Sequence, residues 1–116
     1  MKPRVLIIVA GDPRSSGRPA EAVRIAAGVG TWQRVEIALY LRGEAARVLG
    51  ESTDELVDET DYARYWPVLA ESGQTVYVEK DAPALKELGA VAMPFTEISD
   101  GQLAELAAQQ ACVLRF

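Results

Sequence analysis

Short apolar runs alternate along this chain with segments of helical periodicity. The first run, Val5–Ala10, is apolar at every position and is followed by the turn residue Gly11, which is typical of a buried strand. Small apolar residues then recur at helical spacing over Pro19–Val29, and proline suits the first turn of a helix. Strand and helix patterns continue to alternate to the end of the chain, which indicates an α/β fold.

The full pattern predicts five strands joined by helices. The predicted strands are Val5–Ala10, Val35–Leu41, Thr75–Val78, Val91–Met93 and Ala111–Leu114. The predicted helices are Pro19–Val29, Glu44–Leu49, a segment within Tyr62–Ser72 that begins or kinks near Pro67, a helix capped by Asp81 that ends at Gly89, and Asp100–Gln109. The segment Glu51–Asp61 carries six acidic residues and no basic one, so we expect a solvated loop or an exposed helix there.

These elements predict one domain over residues 1–116, with helices on both faces of a five-stranded, mostly parallel sheet. Right-handed crossovers leave few ways to wind such a sheet, and the flavodoxin-like order 2-1-3-4-5 is the prediction. The doubly apolar first strand is expected to be central in it.

Charge and composition exclude several classes of function. A net charge of −5 gives no field to attract DNA, RNA or an acidic membrane, so we expect neither nucleic acid nor membrane as a partner. The chain has no histidine and one cysteine, which excludes histidine-based catalysis and an intramolecular disulfide. We expect no metal site and no cofactor. The first apolar run is too short to span a membrane, and a cytoplasmic protein is expected.

Ligands of open parallel sheets bind at the carboxyl ends of the strands, which directs attention to the loops after the first and third strands. The loop Gly11–Arg18 precedes a helix and lacks the spacing of a nucleotide phosphate loop, but it could hold a small anion. Its candidate ligand-binding residues are Asp12, Arg14, Ser15, Ser16 and Arg18. The alternative interpretation is an ordinary connection between a strand and a helix.

Two further candidates for chemistry lie later in the chain. Glu79 and Lys80 could form an acid–base pair after the third strand, although adjacent residues point in opposite directions and a solvated turn is the simpler interpretation. Cys112 lies in the apolar run Ala111–Leu114, where a thiol is expected to be a buried hydrophobe rather than a reactive group.

Aromatic residues offer a weaker indication of binding. They could line a pocket, but at helix ends such residues more often pack at the rim of the core, and those near Pro67 could also contribute to an interface between subunits. The residues concerned are Trp32, Tyr62, Tyr65 and Trp66.

Several segments, which together extend over nearly the whole chain, match the residue pattern of a known protein family. They are Val5–Val9 followed by Asp12-Pro13, the alanine-rich Glu21–Gly28, Val35–Ile37 through Leu41–Gly43, Glu71–Gly73 before Val76–Val78, and Leu88-Gly89. In these segments the chain resembles the DsrE/DsrF-like family, which includes subunits of the Tus sulfur-relay complex. The resemblance implies a DsrE-like fold, association into trimers or hexamers or with related subunits, and a site that includes Gly43 and Glu79.

Sulfur-transferring members of that family place a cysteine just after the third strand, where it accepts a persulfide sulfur. This chain has Glu79 at the corresponding position, and a carboxylate cannot carry sulfane sulfur. The resemblance therefore implies an oligomeric binding or partner subunit linked to sulfur metabolism rather than an enzyme. Two alternatives remain open: a sulfurtransferase-like persulfide carrier that uses Cys112, and a small-anion or nucleotide-binding domain at the Gly11–Arg18 loop.

Overall fold

Five parallel strands form one sheet in the computed structural model, which describes residues 2–116. The strands are β1 (Arg4–Val9), β2 (Glu36–Leu41), β3 (Thr75–Glu79), β4 (Thr96–Ile98) and β5 (Cys112–Arg115). The helices are α1 (Arg18–Gly30), α2 (Glu59–Glu71), α3 (Pro83–Glu87) and α4 (Asp100–Ala108), and a 3₁₀ helix spans Gly43–Leu49. The predicted parallel α/β architecture is confirmed. No helix within residues 2–116 is long and apolar enough to cross a bilayer.

The strand order is β4-β3-β2-β1-β5, so the predicted order 2-1-3-4-5 is wrong. Each of the first three crossovers moves one strand in the same direction, and the last one returns to the free side of β1. The sequence pattern indicates that a crossover occurs but carries no signal for its direction. As a result β1 is an interior strand between β2 and β5, whereas the middle position belongs to β2.

The direction of the crossovers also explains why the two faces of the sheet differ. Right-handed crossovers that advance in one direction place their helices on one face, and the reversed crossover places α4 on the other. Ile7 and Val9 of β1 belong to the large core beneath α1 and α2. Leu6 belongs to a smaller cluster with Tyr40 and α4, a helix with no fully buried residue. Both faces of β1 are therefore covered, which explains its uninterrupted apolar run.

Several predicted element boundaries need correction. The fourth strand is Thr96–Ile98 rather than Val91–Met93, because Val91 forms only an isolated antiparallel bridge with Gly50. The helix α3 has five residues and is preceded by Ala82, while Asp81 adopts a positive φ of 62° and caps nothing.

The helix α2 starts earlier than its sequence suggested. It begins at Glu59, inside the acidic segment, rather than near Pro67. Burial of Tyr62, Trp66 and Leu69 on one face stabilises the helix although it contains an internal proline.

Candidate functional site

The loops that follow β1, β2 and β3 lie in a row along the carboxyl edge of the sheet. Because β2 separates β1 from β3, the Gly11–Arg18 loop and the turn after Glu79 are not direct neighbours. The turn Arg42-Gly43 at the end of β2 lies between them. The reversal of strand order falls between β1 and β5, not between β1 and β3 as the predicted order would place it.

The side chain of Glu79 is fixed by two partners from the turn after β2. Its Oε1 accepts a hydrogen bond from the backbone N–H of Gly43 at 3.1 Å. Its Oε2 lies 3.7 Å from Nε of Arg42, and the side chain is 31% exposed. Gly43 has a φ of +57°, a conformation that glycine adopts without strain. Gly43 and Glu79, two of the expected ligand-binding residues, are therefore in direct contact.

Arg42 connects this carboxylate to a third element. Its Nη2 donates to Oδ1 of Asp100 at 3.0 Å, and its guanidinium carbon lies 5.7 Å from the centroid of the Tyr40 ring. Asp100 is the first residue of α4, so one arginine links the ends of β2 and β3 to the helix on the opposite face. Sequence reasoning missed Arg42 and Asp100 as site residues; only the neighbouring Gly43 marked this turn.

In the loop after β1, Asp12 and Arg14 form a paired fork. Nε and Nη2 of Arg14 donate to the two carboxylate oxygens of Asp12 at 3.1 and 2.9 Å, and the backbone N–H of Arg14 also donates to Oδ1 at 2.9 Å. These hydrogen bonds hold the pKa of Asp12 below its ordinary value of 3.8. Nη2 of Arg14 lies 3.4 Å from Oε2 of Glu44. Arg14 therefore pairs with two carboxylates, of which Glu44 is shared with Arg47.

Ser15 and Ser16 form hydrogen bonds within the loop and stabilise its conformation. The backbone N–H groups of Ser15 and Ser16 donate to the carbonyl of Asp12 at 3.1 and 3.0 Å, and Oγ of Ser16 accepts from the N–H of Arg18 at 3.2 Å. The guanidinium of Arg18 turns towards the chain after β5, 5.4 Å from the centroid of the Phe116 ring. The structure thus brings Asp12 and Arg14 together but directs Arg18 elsewhere.

The turn after β3 separates Glu79 from Lys80. Lys80 is exposed, and its side chain forms no hydrogen bond or ion pair with any residue from 2 to 116, whereas its backbone N–H donates to the carbonyl of Ile98 at 2.9 Å. A shallow cleft of about 220 Å³ lies beside this turn, between Glu79 and Asp100. The charged partner of Glu79 is Arg42 rather than Lys80.

Cys112 is exposed, so the prediction of a buried thiol is wrong. It is the first residue of β5, an edge strand that pairs only with β1, and its apolar neighbours do not enclose it. Cys112 aligns with Val5 in the sheet. Relative to Glu79, Cys112 lies three strands away and five residues nearer the amino edge. These offsets correspond to about 17 Å along the strands and about 14 Å across the sheet. The thiol is therefore remote from the Glu79 site.

Two of the four aromatic candidates are core residues. Tyr62 and Trp66 are 1% and 3% exposed, so the prediction that they contribute to an interface is wrong for these two. Nε1 of Trp66 donates to the carbonyl of Val48 at 2.9 Å, and a cleft of about 140 Å³ lies at the edge of both rings. Tyr65 is half-buried, whereas Trp32 is 71% exposed.

Comparison with known proteins establishes the fold of this chain and nothing finer. No protein-family model matches the sequence, and no curated protein matches it significantly. Among solved structures, the ychN protein of E. coli superposes over 100% of both chains with a TM-score of 0.80 and 16% sequence identity. That protein has a DsrE-like fold, and the chain described here has a DsrE-like fold as well.

Proposed function

We propose that this protein is a DsrE-like binding or partner subunit that has no sulfur-relay activity. The observation that carries the proposal is the state of Glu79, the residue that the family resemblance aligns with the relay thiol. Its carboxylate is bound by the N–H of Gly43 and lies beside Arg42. A carboxylate offers no sulfur nucleophile, and this one is already engaged in holding two turns together.

Cys112 does not replace the missing thiol in this proposal. Accessibility alone does not activate a cysteine, because a reactive thiolate also needs a positive charge, a helix N-terminus or another stabilising donor. No hydrogen bond from any residue between 2 and 116 reaches its sulfur. Its position near the amino edge of the sheet also separates it from Arg42 and Gly43, the groups that would stabilise an anion at the carboxyl edge.

Association with further subunits is the second part of the proposal. It is supported by apolar side chains that remain exposed in the single chain, namely Trp32 at 71% and Leu114 at 38%. Light scattering at micromolar concentration is expected to report a trimer or a hexamer. A monomer at that concentration would contradict this part of the proposal.

The small-anion alternative at the Gly11–Arg18 loop has less support. The guanidinium of Arg14 is already paired with Asp12 and lies beside Glu44, and Arg18 turns away from it. Thermal stabilisation by inorganic phosphate, lost in an Arg14→Gln variant, would be the evidence in favour of that site.

The test of the proposal is to return a thiol to the candidate site. In a Cys112→Ser background, Glu79→Cys is treated with a persulfide donor and the mass gain of one sulfur is followed with time. We expect rapid loading, because the Arg42 guanidinium and the Gly43 N–H would favour the thiolate. Glu105→Cys, an exposed position on α4, is the matched control and should load slowly. Equal loading rates for the two variants would show that position 79 does not activate a thiol and would contradict its assignment as the place of the relay thiol.

A further inference from the structure

A sizeable cavity lies at the opposite edge of the sheet from the candidate site. It has a volume of about 470 Å³ and lies where β2 and β3 begin, beneath the last turn of α4. Small-molecule sites commonly enclose about 300–1,000 Å³. Neither Glu79 nor any residue of the Gly11–Arg18 loop contributes to it, so the proposed function does not account for this cavity.

Side-chain amides and hydroxyls dominate the polar lining. The amides of Gln33 and Gln109 form no side-chain hydrogen bond with any other residue in the part of the chain that the structure describes. The same is true of the hydroxyls of Thr75 and Tyr77. Gln110 uses its Nε2 to donate to the carbonyl of Leu106 at 2.9 Å, which leaves its Oε1 as an acceptor. Donors and acceptors are thus both available to a ligand.

The charge around the cavity favours a neutral ligand. Arg4 and Glu36, which both contribute to its lining, pair with each other through Nε and Oε2 at 3.2 Å. Three helices, α1, α2 and α4, end at this edge, and the carbonyl groups of a helix C-terminus disfavour an anion. Lys2 contributes one exposed positive charge at the rim. These opposing contributions leave little net attraction for a phosphate group.

An apolar surface completes the site. Ala38 and Tyr77, which lie on the α4 side of the sheet, and Leu106 of α4 are half-buried and border the cavity. An aromatic ring next to aliphatic carbon accommodates a flat ring, and a glutamine amide presents a donor beside an acceptor, which matches the hydrogen-bonding edge of a base. We infer that this cavity binds an uncharged nucleobase or nucleoside, in a site that is independent of the carboxyl edge.

Titration of isotope-labelled protein, followed by amide NMR, tests this inference. The probes are adenosine and uridine, and adenosine monophosphate serves as the charged comparison. We expect shifts confined to the amino edge, including Ala38 and Thr75, and weaker binding of the monophosphate than of adenosine. Gln109→Ala should weaken nucleoside binding about fivefold, the usual effect of one lost neutral hydrogen bond. Glu105→Ala, on the same helix outside the cavity, should leave binding unchanged.

Four results would overturn the inference. They are the absence of shifts with both nucleosides, shifts at Gly43 and Glu79 instead of the amino edge, equal affinity in Gln109→Ala, and monophosphate binding as tight as that of adenosine. None of these results bears on sulfur loading at position 79, so this inference and the proposed function can fail separately.

Discussion

Replacement of Trp66 by phenylalanine should cost this protein a large part of its stability. The indole lies in the core at 3% exposure, and its Nε1 donates to the carbonyl of Val48 at 2.9 Å. Phenylalanine would leave that carbonyl buried without a donor, at a cost of about 2 kcal/mol. The smaller ring loses about 1 kcal/mol more in buried apolar surface. The sum, about 3 kcal/mol, is substantial against the usual 5–15 kcal/mol for unfolding.

Urea unfolding at two protein concentrations is the appropriate assay. The midpoint should fall by about 1.5 M if the m-value is about 2 kcal/mol/M, and the m-value should not change. Glu105→Ala, at an exposed position on α4, is the control, and its effect should stay within about 0.5 kcal/mol. Equal effects of the two substitutions would refute the core placement of Trp66. A loss of unfolding free energy in Trp66→Phe that is larger at the lower protein concentration would instead place Trp66 in a contact between subunits.

Three further predictions follow from burial and charge. Tyr62→Phe should be neutral or stabilising at neutral pH, because the buried hydroxyl has no hydrogen-bond partner among residues 2–116. Burial raises the pKa of the Tyr62 phenol, so above the ordinary value of 10.0 the phenol ionises in the unfolded chain before it ionises in the native state. The wild-type protein should therefore lose stability as the pH rises above 10.0, and Tyr62→Phe should lose less. Arg14→Gln should raise the pKa of Asp12 towards 3.8 in an NMR titration, because the guanidinium hydrogen bonds that lower this pKa are lost. In the wild-type protein the depressed pKa stabilises the fold above pH 3.8, and that stabilisation is lost as the pH falls below this value. Amides of Leu6–Val9 should exchange far more slowly than those of residues 51–57, and similar rates would contradict the interior position of β1.

The sequence was sufficient to predict the parallel α/β architecture but not the arrangement of its strands. Period-two and helical patterns depend on local burial, so the predicted strand Val5–Ala10 and helix Pro19–Val29 each lie within one residue of their observed bounds. Strand order depends on the direction of each crossover, which no local residue encodes. The same limit affected Cys112, because an apolar run looks alike in a buried strand and at the edge of a sheet.

The candidate site was predicted in part. Glu79 and Gly43 were named, and the structure places them in direct contact. Arg42 and Asp100 were not, since they meet only because β2 lies beside β3 and α4 starts at the same edge. The cavity at the amino edge could not be predicted either, because its lining residues come from four segments that are 29 or more positions apart in sequence.

Sulfur loading of the unmodified protein tests the central claim most directly. Wild-type protein and its Cys112→Ser variant are incubated with a persulfide donor, and sulfur is followed by intact mass and by transfer to an acceptor thiol. We predict no adduct on the variant, and on wild type an adduct at Cys112 that forms no faster than on the unfolded chain and is not passed on. Rapid, stoichiometric loading of Cys112 followed by transfer would contradict the proposal and make this protein a sulfur carrier.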